Sequence, residues 1–326
     1  MVKVLANDGI SSVGEKKLRE SGFDIITQSV KQDDLIDFIN KEEISVLLVR
    51  SSTKVKRDII DNCKSIKLIG RGGVGMDNID VDYARDKGIR VINTPLASSN
   101  SVAELVFSHI FSMVRNLHQS NRDMPLEGDT HFKSLKKRYA SGIELRGKTI
   151  GVIGVGRIGI GVVKIAVGIG MNVITHDKNV DEISFDMDFF DGRKLPFKIK
   201  TSTKDEVLKN SDFITLHVPA DEKNRSLIGS KEISMMKKGS GIVNASRGGT
   251  IDEKALLKAI EEDHISFAGL DVFENEPTPD IKVLMNPKIS LSPHIGASTL
   301  EAQDRIGEEL ADEIINMFKK DLHIKC

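Results

Sequence analysis

The chain has 326 residues, 39% of them hydrophobic, enough to bury a substantial core and, at this length, to divide into two domains. Its 47 basic and 48 acidic side chains leave a formal charge of −1, so no global attraction to nucleic acid or to an anionic membrane is expected, and any anion must be bound locally. The two cysteines, Cys63 and Cys326, are too few for a disulfide framework or a zinc site. "MVKVLANDGI" lacks a signal-peptide pattern, and no uninterrupted apolar run reaches membrane-spanning length, so a soluble, cytoplasmic protein without a metal is expected.

Along the chain, short β-branched runs alternate with longer amphipathic ones, the pattern of parallel sheets covered by helices. The first series of strands is "KVLA", "FDIIT", "ISVLLVR", "IKLIGR" and "IRVINT". Helices are expected over 12–21, where Ser12 and Glu15 have the spacing of a capping box, and over 32–41. A second capping box, Ser101 with Glu104, opens "SVAELVFSHIFSMVRNLHQS". Its apolar set, Val102, Leu105, Val106, Ile110, Met113 and Leu117, is wider than one core-facing stripe needs: it is either buried within its own domain or paired with a second copy. The polar, basic stretch "GDTHFKSLKKRYASG" follows, and from residue 148 a second series begins, with strands "TIGVIG", "MNVITHD", "FITLHV", "GIVNAS" and "ISFAGLDV".

In "KTIGVIGVGRIGIGVVKIAVGIG" the glycines Gly154, Gly156 and Gly159 follow a strand and open a helix, and the next strand ends on Asp177. In that setting the first glycine permits the tight turn, the second lets backbone approach a pyrophosphate, and the third lets helix pack on strand. The helix N-terminus then binds the phosphates, and Asp177 accepts from the adenosine ribose hydroxyls and repels a 2′-phosphate, favouring NAD over NADP. Lys178 beside it weakens that exclusion.

Three polar features come after later strand-like runs: Arg247 in "NASRGGTIDEKAL", Asp271 and Glu276 in "LDVFENEP", and His294 in "SLSPHIGAST". Ligands of an open α/β sheet bind beyond the carboxyl ends of its strands, where these residues fall. An arginine grips a carboxylate with two prongs, and a histidine exchanges protons near neutral pH. Glu276, hydrogen-bonded to the other ring nitrogen, would orient the imidazole and favour its protonated form. Singly, each has a bland explanation as a surface pair, a turn or a loop histidine. Together, downstream of a nucleotide turn, they supply what hydride transfer from a hydroxy acid requires.

The segments "GVIGVGRIG", "LHVP", "NASRGGTIDEKAL", "AGLDVFENEP" and "SPHIGAST", in that order, resemble the signatures of the D-isomer-specific 2-hydroxyacid dehydrogenases. Within that family, "VRSSTKV", "IGRGGVGMDNID", "NTPLASSNSVAEL" and "GASTLEAQDRIGEEL" are most similar to the phosphoglycerate-oxidising members. The resemblance implies an α/β fold of two doubly wound parallel-sheet domains. A Rossmann-type NAD domain, 99–295, would be inserted in a flavodoxin-like substrate domain made of 1–98 and 296–326. It implies an active site between them, closed against water, and a homodimer paired through the NAD domain. By position, Arg247 matches the substrate-carboxylate arginine, His294 the acid/base and Glu276 its partner. Around NAD, Gly154, Gly156, Arg157, Ile158 and Gly159 match the pyrophosphate turn, Asp177 the ribose ligand and Val218 a position beside the adenine. Ala245, Ser246 and Arg247 match the nicotinamide side, Asp271 the carboxamide contact, and His294, Gly296 and Ala297 the segment closing over the nicotinamide. From the first domain, Arg50, Ser51, Gly73 and Val74 match substrate-contacting positions, with Val74 also near the cofactor. The Gly73 and Val74 N–H groups could hold a carboxylate as a nest does.

The expected reaction is oxidation of D-3-phosphoglycerate to 3-phosphohydroxypyruvate, for serine biosynthesis. Arg50, Lys54 and Arg71 are candidates for the phosphate, with Lys136, Lys137 and Arg138 from a second subunit or simply a solvated basic face. Hydroxypyruvate or glyoxylate reduction would use the same catalytic set, and an NAD-sensing corepressor can retain it too. Two features depart from the family: Ser98 stands in place of an asparagine, and the amphiphilic segment 178–203 is longer, lengthening a loop over the adenine or contacting a partner. No regulatory serine-binding module is expected after residue 326.

Overall fold

The protein is described by a computed structural model covering residues 2–219 and 226–319; Cys326 lies outside them. Two compact units result, one of Met1–Ser101 with Ala297–Cys326 and one of Val102–Gly296.

The first unit alternates strand and helix: β1 (Lys3–Ala6), α1 (Ser12–Glu20), β2 (Asp24–Ile26), α2 (Leu35–Glu42), β3 (Val46–Val49), α3 (Arg57–Asn62), β4 (Leu68–Arg71), α4 (Val81–Asp86) and β5 (Arg90–Asn93). All strand pairs are parallel, in the order β2-β1-β3-β4-β5, which is the flavodoxin-like arrangement. The central β3 reads Val-Leu-Leu-Val and is buried along its whole length, as a strand covered on both faces must be. Helix α5 (Ser99–Val114) leads into the second unit.

There the chain forms α6 (Leu117–Glu127), α7 (Phe132–Arg138), β6 (Thr149–Ile153), α8 (Arg157–Gly168), β7 (Asn172–His176), β8 (Glu182–Asp188), β9 (Lys194–Lys200), α9 (Lys204–Asn210) and β10 (Phe213–Leu216). It continues through α10 (Ser230–Met235), β11 (Ser240–Asn244), α11 (Glu253–Glu261), β12 (Ile265–Leu270), α12 (Ile281–Leu284) and β13 (Ile289–Leu291). Six parallel strands make one sheet in the order β13-β12-β11-β10-β6-β7. After β6 the chain runs to one side, to β7, and later to the other, to β10. The carboxyl ends of β6 and β10 therefore flank a topological switch point, where such sheets bind ligands. A last helix, α13 (Leu300–Phe318), completes the first unit, where Ile306, Leu310, Ile314 and Phe318 share a core with Leu18, Leu48 and Ile92. It lies so close to α1 that a Cβ on Gly14 would meet the Gly307 carbonyl oxygen at 2.6 Å.

Several local expectations are corrected. Ser11, not Ser12, caps α1: its backbone is extended and its hydroxyl accepts from Gly14 N–H at 3.3 Å. Three residues on from Ser11 stands Gly14, so no capping box forms, and Glu15 binds Arg19 instead. Ser101 lies inside α5, where a helical backbone cannot cap; its hydroxyl is 2.9 Å from that of Thr299. The expected single helix from 101 to 120 breaks at Asn116, whose φ of 54° ends α5 and starts α6. Val102, Val106, Ile110 and Met113 are buried in their own unit's core, Leu105 is half-buried, and Leu117 falls in α6 and is exposed. The segment 178–203 contains an antiparallel hairpin, β8 with β9. Phe185 stacks on Phe197 with ring centroids 5.6 Å apart, and Ile183 and Ile199 join the core beneath α8.

Candidate active site

The turn after β6 has the shape its glycines demand. Gly154 sits at φ 93°, a conformation L side chains rarely adopt, and a Cβ there would lie 2.4 Å from the His217 carbonyl oxygen. A Cβ on Gly159 would lie 2.1 Å from the Gly154 carbonyl oxygen, so only glycine lets α8 start this close to the strand. Gly156, the residue before α8, meets nothing within 4 Å and offers no side-chain cap. The first N–H groups of the helix, from Arg157 and Ile158, face outward by helix geometry and suit a pyrophosphate.

Asp177, just past β7, braces that turn: its Oδ2 accepts from Val155 N–H at 3.0 Å and its Oδ1 from Asn179 N–H at 2.9 Å. Val218 follows β10 and reaches Gly154, where its Cγ1 would lie 3.2 Å from a Cβ. His217 bonds Thr215 through Nε2 at 3.0 Å, while its Nδ1, like Thr175 Oγ1 on β7, is buried without a partner among the described residues. Burial pushes His217 down to about 3, so the ring stays neutral. Orphaned polar atoms, an uncapped helix end and a clear approach at Gly156 fit a dinucleotide.

Beyond β11 the loop 244–250 is built around Asn244, which the sequence reading did not single out. The buried amide donates to the Arg247 carbonyl and the Thr250 hydroxyl, each at 2.9 Å, and accepts from Ser246 N–H and Oγ. Arg247 Nη1 donates to the Ser246 carbonyl at 2.7 Å, which orients the guanidinium. A Cβ on Gly248 would lie 1.8 Å from the Phe273 carbonyl oxygen, so this loop and the one after β12 abut. Glu253 and Glu274, also overlooked, lock the two together: each carboxylate accepts from the other's backbone N–H, at 2.8 and 3.1 Å. Burial raises the Glu253 carboxyl above the usual carboxylate range. Alternating apolar and polar letters carry no signal for such reciprocal bonds.

After β12 stands Asp271, 1% exposed. Its Oδ1 accepts from the Ser292 hydroxyl at 2.6 Å and from Ile295 N–H at 2.8 Å, and its Oδ2 from Gly296 N–H at 2.9 Å. Of the roughly four acceptor directions of a carboxylate, one on Oδ2 is left. The Asp271 carbonyl takes His294 N–H at 2.8 Å, so this residue shapes the whole His294–Gly296 turn, in which His294 adopts φ 55°. Glu276 Oε1 is anchored by Phe273 N–H at 3.0 Å, and its Oε2 meets His294 Nδ1 at 2.8 Å. Both side chains keep access to solvent, at 42% and 36% for histidine and glutamate. With Nδ1 engaged, Nε2 is the nitrogen presented outward.

The other named residues lie in the first unit. Arg50 and Ser51 follow β3, and Arg71 ends the neighbouring β4. Arg50 N–H donates to Asp8 at 2.6 Å; burial lowers the affinity of the Arg50 guanidinium for its proton and Asp8 opposes that. The nest expected at Gly73 and Val74 is corrected, because Gly73 N–H is committed to Thr94 Oγ1 at 2.8 Å. Arg71 lies across Gly73, where a Cβ would meet its Nη1 at 1.7 Å, and Val74 is 39% exposed. Ser98 is buried, and Ala297 is half-buried with its carbonyl bonded to Gln303. In the second unit, Arg138 is paired with Asp123 at 2.6 Å, while Lys136 and Lys137 are exposed.

Residues 107–296 match the family described as D-isomer specific 2-hydroxyacid dehydrogenase, NAD binding domain. Over 323 residues the chain is 43% identical to D-3-phosphoglycerate dehydrogenase of Methanocaldococcus jannaschii, covering 99% of this chain and 58% of that protein. It is 40% identical over 316 residues to hydroxypyruvate reductase of Thermotoga maritima, covering 96% of this chain and 97% of that protein. Among solved structures, a glyoxylate reductase from Paecilomyes thermophila superposes with a TM-score of 0.82 at 29% identity, covering 98% of this chain and 96% of the other.

Proposed function

Because the chain belongs to the D-isomer-specific 2-hydroxyacid dehydrogenases, with an NAD-binding domain, we propose that it oxidises D-3-phosphoglycerate to 3-phosphohydroxypyruvate, for serine biosynthesis. The observation that carries the chemistry is the 2.8 Å bond between Glu276 and His294, on a turn held by Asp271 in the same unit as the glycine turn. Bound NAD supplies a hydride acceptor at its nicotinamide. Arg157, Ile158 and Asp177 would hold its pyrophosphate and ribose, Val218 would border its adenine, and Ala245, Ser246 and Gly296 would border its nicotinamide. The remaining acceptor direction of Asp271 suits the carboxamide N–H.

In this reading Arg247 grips the substrate carboxylate with two parallel N–H donors. Neutral His294 donates Nδ1–H to Glu276, so its Nε2 lone pair takes the hydroxyl proton as C2 becomes a carbonyl carbon. Glu276 stabilises the imidazolium that results. In reduction the same proton returns to the carbonyl oxygen.

Phosphate recognition is the finer part of the proposal. It rests on the name of the Methanocaldococcus relative. The Thermotoga relative, matched over almost its full length, favours hydroxypyruvate as the second reading. Comparing kcat/KM for D-3-phosphoglycerate and D-glycerate separates them. Loss of even one charge-assisted contact at about 1.5–3 kcal/mol predicts a preference of about tenfold or more for the phosphorylated acid. Equal values, or a preference for glycerate, would favour hydroxypyruvate. Pairing of two chains through α5–α7 is also proposed, supported by exposed Phe111, Leu117, Met124, Leu126 and Phe132 on those helices.

For the cofactor, Asp177→Ala should weaken NAD binding about tenfold or more, at about 1.5–3 kcal/mol per hydrogen bond to a charged group. NADP should lose less, since the repulsion of its 2′-phosphate is relieved. Fluorescence titration with NADH and NADPH checks this, and equal losses would mean that another residue discriminates.

A further inference from the structure

Helix α5 carries a histidine that no step above uses. His109 is 4% exposed, and both ring nitrogens are engaged: Nδ1 with Ser290 Oγ and Nε2 with Ser292 Oγ, each at 2.9 Å. The two serines lie one residue apart at the end of β13, so they share a face. Room for the imidazole comes from Gly269 on the paired β12, where a Cβ would lie 2.8 Å from His109 Cβ and 3.1 Å from its Cγ.

Counting protons fixes the direction of every bond. The Ser292 hydroxyl donates to Asp271 Oδ1 at 2.6 Å, and that donation uses its one proton. Ser292 Oγ can then only accept from His109, which requires the Nε2–H tautomer. Nδ1 is left as an acceptor, filled by the Ser290 hydroxyl. Burial lowers the basicity of His109, in keeping with a neutral ring. The chain Ser290 to His109 to Ser292 to Asp271 therefore runs one way, and it ends on the carboxylate that holds Ile295 and Gly296 N–H beside His294.

We infer that His109 is a positioning residue for His294: by forcing the Ser292 proton toward Asp271, it fixes the carboxylate that shapes the His294–Gly296 turn. The inference rests on the proposed acid/base role of His294 for its effect on turnover, but its structural part can be read without any substrate. A φ of 55° is uncommon for any residue but glycine, so the His294 turn depends on the bonds that frame it.

Two variants test it. His109→Phe keeps a ring and removes both nitrogens; His109→Gln keeps one donor and one acceptor. Amide exchange of the segment 289–299, read by mass spectrometry on the unliganded protein, should quicken at Ile295 and Gly296 about tenfold or more in His109→Phe and return toward the native rate in His109→Gln. With D-3-phosphoglycerate and NAD, kcat should fall about 10- to 100-fold in His109→Phe, the scale of a misplaced catalytic group, with KM nearly unchanged because Arg247 lies outside the chain of bonds. His109→Gln should recover most of it. Should the phenylalanine variant not fold, Ser290→Ala takes its place. Without the donor to Nδ1, His109 can move its proton there and Ser292 can turn toward Nε2, so exchange should again quicken. Native exchange at Ile295 and Gly296 in a folded His109→Phe or Ser290→Ala protein would overturn the inference, as would a loss of kcat that glutamine does not restore. If the native protein oxidises no 2-hydroxy acid, the proposed function fails while the exchange rates still decide this inference.

Discussion

Replacing His294 with alanine is expected to lower kcat about 10²- to 10⁴-fold, the usual cost of removing a positioned acid/base, while NAD affinity stays nearly unchanged. In the proposed function the cofactor is held mainly by the turn after β6 and by Asp177, both outside the His294 turn. In the proposed mechanism proton transfer depends on Nε2 of His294, whose Nδ1 is tied to Glu276. The backbone at this position complicates the test, since alanine tolerates φ 55° poorly. His294→Asn is the control, because asparagine accepts the left-handed region more readily and cannot replace the base. Equal losses in both variants, measured by NADH absorbance with NADH titrations alongside, assign the effect to the imidazole. Near-native activity in the asparagine variant would show that the Glu276–His294 pair is not the proton acceptor.

Arg247→Lys should lower kcat/KM about 10- to 100-fold, since at least one charge-assisted bond of about 1.5–3 kcal/mol is lost. The charge remains, so the loss is geometric. Arginine presents a planar fork, oriented here by the Ser246 carbonyl and by a loop that Asn244 braces; lysine offers a point charge on a flexible stem. The loss should be similar across the pH range, because the proton acceptor is untouched. A pH-dependent loss, or one confined to kcat with KM unchanged, would remove Arg247 from the carboxylate site.

What could be read in advance follows from how local the causes are. Gly154 and Gly159 are needed by the backbone and Gly156 keeps the approach to the helix end clear, all within six residues of one another, so their spacing alone states the turn. The strands alternate with helices visibly because runs such as "VLLV" are buried on both faces. The hairpin of β8 and β9 was equally local and went unread: Asp191 and Gly192 form a turn dipeptide between runs with every second residue apolar. Capping boxes at Ser12 and Ser101 were misread because their spacing is present while the chain enters each helix earlier. Least legible were Asn244, Glu253 and His109. Ser290 and Ser292 are 181 and 183 residues from His109, and only the pairing of β12 with β13 beneath α5 brings them to it.

Hydride transfer from the D-isomer of a 2-hydroxy acid leaves a label that can be followed. Supplying NAD with D-3-phosphoglycerate deuterated at C2, and following both absorbance and the fate of the label, tests it most directly. NADH carrying the deuterium on its nicotinamide ring is expected, formed from the D-isomer and not from the L-isomer. NADH bound by the protein without turnover of any D-2-hydroxy acid in a panel of lactate, glycerate, phosphoglycerate and glycolate would contradict it, and would leave a nucleotide-sensing binding protein as the better description.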